Sequence, residues 1–282
     1  MRTIKDIPEM HSYSIKAKRR GKSIGLVPTM GYLHEGHLSL VEAARKKADL
    51  VVVSIFVNPA QFGPGEDFSR YPRDLNHDKK LLSNFEVDVL FLPGAPEMFS
   101  GEHRSYLEIE ALSKKMCGRS RPTHFRGVAT VVAKLFNIVA PDYAFFGEKD
   151  FQQLVIIKRM VKDLNFPSQI IGLPTVREFD GLALSSRNKY LKPKERKTAA
   201  VLYQALSLAK KEIEKGEKNP QKILARMRSL ISAAPGVRLD YIVIAHPETL
   251  EELKKIRGKV LVALAAYLGK ARLIDNMVIE AK

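Results

Sequence analysis

Two histidines, His34 and His37, stand three residues apart in the segment Met30-Gly31-Tyr32-Leu33-His34-Glu35-Gly36-His37. Side chains at i and i+3 of a helical turn share one face. The first turn of a helix also carries unpaired backbone N–H groups and the positive end of the peptide dipole. Gly36 has no Cβ, so a ribose or base can lie close to the backbone. Imidazoles, N–H groups and dipole together suit one chemistry, nucleotidylyl transfer. They would hold the α-phosphate of ATP while charge builds on the phosphorus under attack. A pair of histidines that merely caps a helix fits the same eight residues. The other chemistry-bearing segments decide between the two readings.

Four such segments follow. Phe56-Val57-Asn58-Pro59-Ala60-Gln61-Phe62-Gly63 places neutral amides around a turn proline. His124-Phe125-Arg126-Gly127-Val128 opens a helical pattern whose stripe includes Thr130, Val131 and Val132. Phe145-Phe146-Gly147-Glu148-Lys149-Asp150-Phe151-Gln152-Gln153 is a glycine turn with a lysine placed for a phosphate. Alone, Glu148 and Lys149 would be a solvated ion pair. Gly181-Leu182-Ala183-Leu184-Ser185-Ser186-Arg187-Asn188 sets two hydroxyls beside a guanidinium, a combination suited to a triphosphate tail. Alone it reads as a helix cap.

The elements that must position these residues follow from hydrophobic period. Residues 24–27, 50–56, 87–92, 144–146 and 169–173 read as strands. Helical patterns run over 36–47, 74–84, 125–139 and 150–164. Unbroken β-branched runs such as Val51-Val52-Val53, alternating with helices, predict an α/β fold with a Rossmann-like parallel sheet covered on both faces. Ligands of such sheets bind at the carboxyl ends of the strands. His34 and His37 follow the first of these strands, Asn58 and Gln61 the second, and Gly147, Lys149 and Asp150 a later one. Near residue 177 the pattern changes. One long helix is expected over 194–215 and another over 220–233. Strands at 239–244, 260–266 and 271–274 follow, the last two joined by the turn Tyr267-Leu268-Gly269-Lys270. The expected organisation is therefore a Rossmann-like domain, 1–176, and a smaller α+β domain, 177–282.

Composition narrows the function classes. An apolar content of 45% supports a sizeable core and excludes wholesale disorder. A single cysteine, Cys117, rules out an internal disulfide framework and fits a reducing cytoplasm. The first residues include Asp6 and Glu9 and have no apolar run, so no secretory leader is expected. No stretch approaches the roughly 18 apolar residues of a membrane span. The net charge is +16, and residues 177–282 hold 22 Lys+Arg against 12 Asp+Glu. These charges occur in pairs along helical patterns without interleaved aromatics, the reverse of a nucleic-acid stacking platform. No nucleic-acid partner and no membrane partner is expected.

Taken together and in order, the segments closely resemble the pantoate–β-alanine ligase family of HxGH nucleotidylyltransferases. The likeness runs from Pro28-Thr29-Met30-Gly31 to Arg272-Leu273-Ile274-Asp275-Asn276, with a weak stretch over 205–260. The resemblance implies an AMP-forming ligase that joins pantoate to β-alanine through a pantoyl adenylate, with ATP as substrate and Mg2+ accompanying it. It also implies a C-terminal lid and a homodimer. ATP would contact Met30, Gly31, Tyr32, Leu33, His34, Glu35, Gly36, His37, Gly147, Glu148, Lys149, Asp150, Val176, Leu184, Ser185, Ser186 and Arg187. His34, His37 and Lys149 would serve the reacting phosphate. Gln61 and Gln153 would bind pantoate, with Met30, Phe56, Val131 and Val132 as candidates for the wall facing its methyl groups. Leu184 stands where the family commonly has methionine, an exchange that conserves volume. Protein ligands for Mg2+ are left unassigned, Asp78 being the one candidate. The alternatives are an HxGH adenylyltransferase acting on a mononucleotide and a nucleic-acid-binding protein. The first would call for Arg or Lys in place of the two glutamines. The second would need a basic face with salt-dependent RNA affinity.

Overall fold

The structure, a computed structural model, describes residues 1–281. The chain forms two compact units. The first comprises Met1–Ser113, Arg121–Glu148 and Ile156–Pro174, and the second Lys114–Ser120, Lys149–Val155 and Thr175–Lys282. Two short segments that precede residue 177 thus group with the second unit.

The first unit is strand–helix alternation. In chain order it runs β1 (Arg2–Ile4), α1 (Ile7–Arg19), β2 (Ile24–Thr29), α2 (Glu35–Lys47), β3 (Leu50–Ile55), α3 (Leu75–Leu82), β4 (Val89–Phe91) and α4 (Ala95–Met98). After α5 (Cys117–Ser120), which belongs to the second unit, come α6 (His124–Val139), β5 (Tyr143–Gly147), α7 (Phe151–Asp163), whose residues up to Val155 group with the second unit, and β6 (Gln169–Leu173). The six strands form one sheet in the order β1-β4-β3-β2-β5-β6, and every pairing is parallel. Parallel pairing with helical crossovers covers both faces, which is why Val51, Val52 and Val53 are all fully buried. Strand order reverses between β2 and β5. The carboxyl end of β2, which leads to the histidines, therefore lies at the topological switch point, where sheets of this kind form their crevice. The three-residue edge strand β1 is the one element of this sheet that the sequence reading missed. Its Arg2-Thr3-Ile4 is too short to show a period, and it forms because Arg2, Thr3 and Ile4 align with Val89, Leu90 and Phe91.

The second unit holds α8 (Pro193–Ala199), α9 (Val201–Glu214), α10 (Pro220–Ser232) and the antiparallel meander β7 (Val237–Ala245), β8 (Gly258–Leu268) and β9 (Ala271–Ala281). Leu202, Leu206, Ile213, Ile223 and Met227 of the helices pack with Val260, Val262 and Leu264 of β8 in one core. Two expectations need correction. The single helix over 194–215 is two helices, because the chain turns at Ala200, whose N–H bonds back to Thr198 rather than four residues back. The last strand does not stop at 274. It continues to Ala281 because β8 offers a partner at every step out to Gly258.

Candidate active site

The turn after β2 is built by three devices. Thr29 Oγ1 donates to the Ser54 carbonyl at 2.9 Å and accepts from Gly31 N–H at 3.1 Å, which ties the strand end to its neighbour. Gly31 (φ 81°) and Tyr32 (φ 52°) then take left-handed conformations. The first is natural for glycine and the second is a strained position for a bulky residue. This backbone aims two N–H groups at one carboxylate. Asp78 of α3 accepts from Tyr32 N–H at 2.9 Å and from Leu33 N–H at 2.7 Å. Asp78 is almost fully buried, at 1% exposure, and burial pushes its carboxyl above the ordinary carboxylate range against the pull of the two N–H groups. The sequence reading considered Asp78 for magnesium. Here each of its oxygens is engaged by a backbone N–H of the turn, so it anchors that turn.

His34 is the N-cap of α2, extended at φ −146° and ψ 176°, and its Nδ1 accepts from Gly36 N–H at 3.2 Å. His37 folds back so that its Nδ1 accepts from His34 N–H at 3.3 Å. The two imidazoles thus form a reciprocal capping box, their ring centres 4.1 Å apart. In a neutral imidazole an accepting Nδ1 leaves the hydrogen on Nε2. The caps therefore set the tautomer of both rings as Nε2–H donors at a helix N-terminus. Capping and phosphate binding, which compete as readings of the bare sequence, are compatible in one geometry.

The turn after β3 presents Gln61. Asn58 caps the short 3-10 turn Pro59–Gln61 by accepting from Ala60 N–H at 3.1 Å. Its Nδ2 donates to Gln61 Oε1 at 3.0 Å and to the Gly127 carbonyl at 3.1 Å. Gln61 Nε2 lies 3.0 Å from Met30 Sδ, so the glutamine and the histidine-bearing turn are in direct contact. Arg121, just before α6, and His124, its first residue, hold the Gln61 carbonyl at 3.2 and 2.9 Å, and Glu66 pairs with Arg121. Phe56, Val131 and Val132 are buried and Met30 half-buried. Gly147, half-buried, closes β5, and Glu148 begins the turn after it. Sequence reasoning missed the work of Asn58, Arg121 and Glu66. An asparagine directly before a turn proline was the available signal for Asn58, since that is a capping position.

The second unit carries the remaining candidates. Lys149 lies in the turn Glu148–Asp150 with its side chain mostly buried, its Nζ 3.6 Å from Asp150 Oδ2, and its carbonyl accepts from Asn276 Nδ2 at 2.9 Å. Arg177 pairs with the buried Asp275 through two bonds of 2.7 and 2.9 Å, and its guanidinium lies over the Tyr203 ring. Val176 and Leu184 are joined by a backbone bond from Leu184 N–H to the Val176 carbonyl at 3.0 Å. Ser185, Ser186 and Arg187 come next, in a cap and 3-10 turn where Ser185 Oγ accepts from Arg187 N–H. Asn188 secures that turn through Glu178 and the Ala183 carbonyl, both 3.2 Å away. Of the two glutamines at the start of α7, Gln152 is buried and locked to Lys115 and Cys117, whereas Gln153, the one assigned to pantoate, is half-buried.

A family model described as pantoate-beta-alanine ligase matches residues 2–278. The chain belongs to the pantoate–β-alanine ligase family. Relatives agree over the whole length. The pantothenate synthetase of Moorella thermoacetica is 55% identical over 99% of both chains, and that of Caldicellulosiruptor bescii 54% identical over all of both. Among solved structures, the pantothenate synthetase of Thermus thermophilus superposes with a TM-score of 0.94 at 48% identity, covering 98% of this chain and 99% of its own. The Francisella tularensis pantoate-beta-alanine ligase, complexed with β-γ ATP and β-alanine, gives 0.81 at 36% identity over 99% and 97%. The ligase fold, with a parallel six-stranded sheet and a small antiparallel one, is therefore common to this chain and its relatives.

Proposed function

We propose that this chain condenses pantoate with β-alanine, using ATP, through a pantoyl adenylate. In the first step a pantoate carboxylate oxygen attacks the α-phosphorus of ATP, the bond to the β-phosphate oxygen breaks, and pyrophosphate leaves. In the second the amine of β-alanine attacks the acyl carbon, the bond to the phosphate oxygen breaks, AMP leaves and the amine gives up a proton. The histidine pair carries this reading. Two Nε2–H donors and a helix N-terminus are fixed before any ligand arrives, and preorganised donors are most effective where charge develops. The reacting carboxylate has no proton to surrender, so the role of His34 and His37 is charge stabilisation at the phosphate.

The other assignments rest on the family motifs. Lys149 follows the α-phosphate and the departing pyrophosphate. Ser185, Ser186 and Arg187 take the β- and γ-phosphates. Met30 to His37, Gly147, Glu148, Asp150, Val176 and Leu184 contact the nucleotide. Gln61 and Gln153 bind pantoate. Neutral amides suit that task, because they orient the acid without the cation that would blunt its attack. Mg2+ enters as the counter-ion of the phosphates. No group of three His, Cys, Asp or Glu among the described residues could hold a metal ion. The family resemblance further supports a homodimer and a cytoplasmic setting. The deciding experiment is ATP–pyrophosphate exchange with a panel of acids. Exchange that requires pantoate supports the reading, and exchange with another acid, or none, overturns it.

A further inference from the structure

The amide of Gln61 has two unlike ends, a double donor and an acceptor, and the pocket meets whichever one the protein turns toward it. In this chain the acceptor Oε1 is occupied by Asn58 Nδ2 and the donor Nε2 is turned to Met30. The same Asn58 Nδ2 donates to the Gly127 carbonyl, so one amide group spans α6 and Gln61. The span requires two backbones to approach closely. A Cβ at position 127 would lie 2.2 Å from the Ala60 carbonyl oxygen, 2.4 Å from its carbon and 2.6 Å from Gln61 N. These are main-chain atoms and have no rotamer by which to step aside. Any side chain at 127 must push the Pro59–Gln61 turn off the helix and break the span.

The geometry points to Gly127 as a positioning residue that fixes the donor end of Gln61 toward the acid substrate. Its absent side chain lets α6 seat the turn, and its carbonyl holds Asn58, which in turn blocks Oε1. With the span broken only the weak acceptor Met30 Sδ still orients the Gln61 amide, which can then invert, and an inverted amide presents an acceptor to a carboxylate, which repels it. Arg121 and His124 hold only the backbone carbonyl of Gln61 and cannot restore the side-chain orientation. This inference rests on the reading of Gln61 as a pantoate ligand.

The test uses the full-length protein with two readouts, kinetics and the side-chain NH2 resonances of 15N-labelled glutamine, Gln61 being assigned by its loss in Gln61→Ala. Gly127→Ala should slow pantoyl-adenylate formation by about 10²-fold, the scale of an ångström-level misplacement. It should raise the KM for pantoate, leave that for ATP unchanged and shift the Gln61 resonances. Asn58→Ser keeps a capping oxygen but replaces the NH2 that spans Gln61 Oε1 and the Gly127 carbonyl with one shorter O–H, which cannot hold both, and should reproduce the same pattern without any clash. Val139→Ala, a buried change at the far end of α6, should lower the melting temperature and move neither readout. Unmoved Gln61 resonances and pantoate KM in a folded Gly127→Ala overturn the proposal. If that variant does not fold, unmoved readouts in Asn58→Ser overturn it. Should Gln61→Ala leave the pantoate KM intact while Gly127→Ala still shifts the Gln61 resonances, the positioning role stands and the pantoate assignment falls.

Discussion

At the scale of single residues, the proposed reaction relies on donors whose direction is fixed in advance. His37 engages its Nδ1 with a backbone N–H of its own turn, which leaves the hydrogen of the neutral ring on Nε2. Removing one preorganised donor typically costs about 10²–10³ in kcat. His37→Ala and Lys149→Ala should therefore cut single-turnover adenylate formation by that order, with ATP affinity much less affected. A wild-type rate in either variant would withdraw that residue from the reaction. Gln61→Glu tests a different term. It exchanges the donor NH2 for a second anion where the proposed reaction places the acid substrate, and two like charges about 4 Å apart repel by up to about 4 kcal/mol at an effective dielectric of 20. Calorimetry with each ligand alone should show pantoate binding lost and ATP binding retained. Unchanged pantoate affinity would move the acid elsewhere.

At the scale of elements, two buried carboxylates fasten the segments that carry the candidate residues. Asp78 of α3 holds the turn after β2 by two N–H bonds. Its folded-state acidity is weakened by burial, so the folded protein binds this proton more tightly than the unfolded chain does. The sign follows from linkage. The contribution is present in full below the unfolded carboxylate value, near 3.9. It is lost as pH rises through the folded one. Asp78→Ala should remove that slope in melting temperature against pH. It should also lower stability at neutral pH, because a buried N–H left unpaired costs about 1–3 kcal/mol. A variant as stable as wild type at pH 7 would show that the turn does not depend on the carboxylate. In the second unit the buried Asp275 is ion-paired with Arg177, and breaking a buried pair by removing one partner costs about 3–5 kcal/mol. Arg177→Met should show a loss of that order in denaturant melts. The double variant Arg177→Met, Asp275→Leu should recover most of it, and failure to do so would mean that the guanidinium serves through packing on Tyr203 rather than through charge.

At the scale of the whole molecule, the charge of +16 raises the question of nucleic acid. Non-specific electrostatic binding has Kd values of about 10⁻⁴–10⁻⁶ M at physiological salt. The basic residues alternate with acidic ones along helices, as in the pairs Lys46–Glu42, Arg159–Asp163 and Lys210–Glu214. The expectation is that tRNA binds no more tightly than this range and does not change pantothenate formation. Sequence-dependent binding below micromolar would overturn it. None of the helices among the described residues is long and apolar enough to cross a membrane.

What the sequence alone determined about this protein was its list of parts. The parallel-sheet pattern was legible there, and so, as candidates, were the histidine pair, Gln61, Lys149 and the Ser185–Arg187 run, because each is written in a short window where period, turn chemistry and residue type act locally. The resemblance to the ligases then followed from the order of those windows. Tertiary structure decided which residues hold the parts in place. Asp78 reaches Leu33 across 45 positions, Gly127 meets Asn58 across 69, and Arg177 meets Asp275 across 98. No window contains both partners of such a pair, and an aspartate that binds two N–H groups has the same letter as one that binds a metal. β1 and the full length of β9 were hidden for the same reason, since a strand end is set by the partner it pairs with as much as by its own residues.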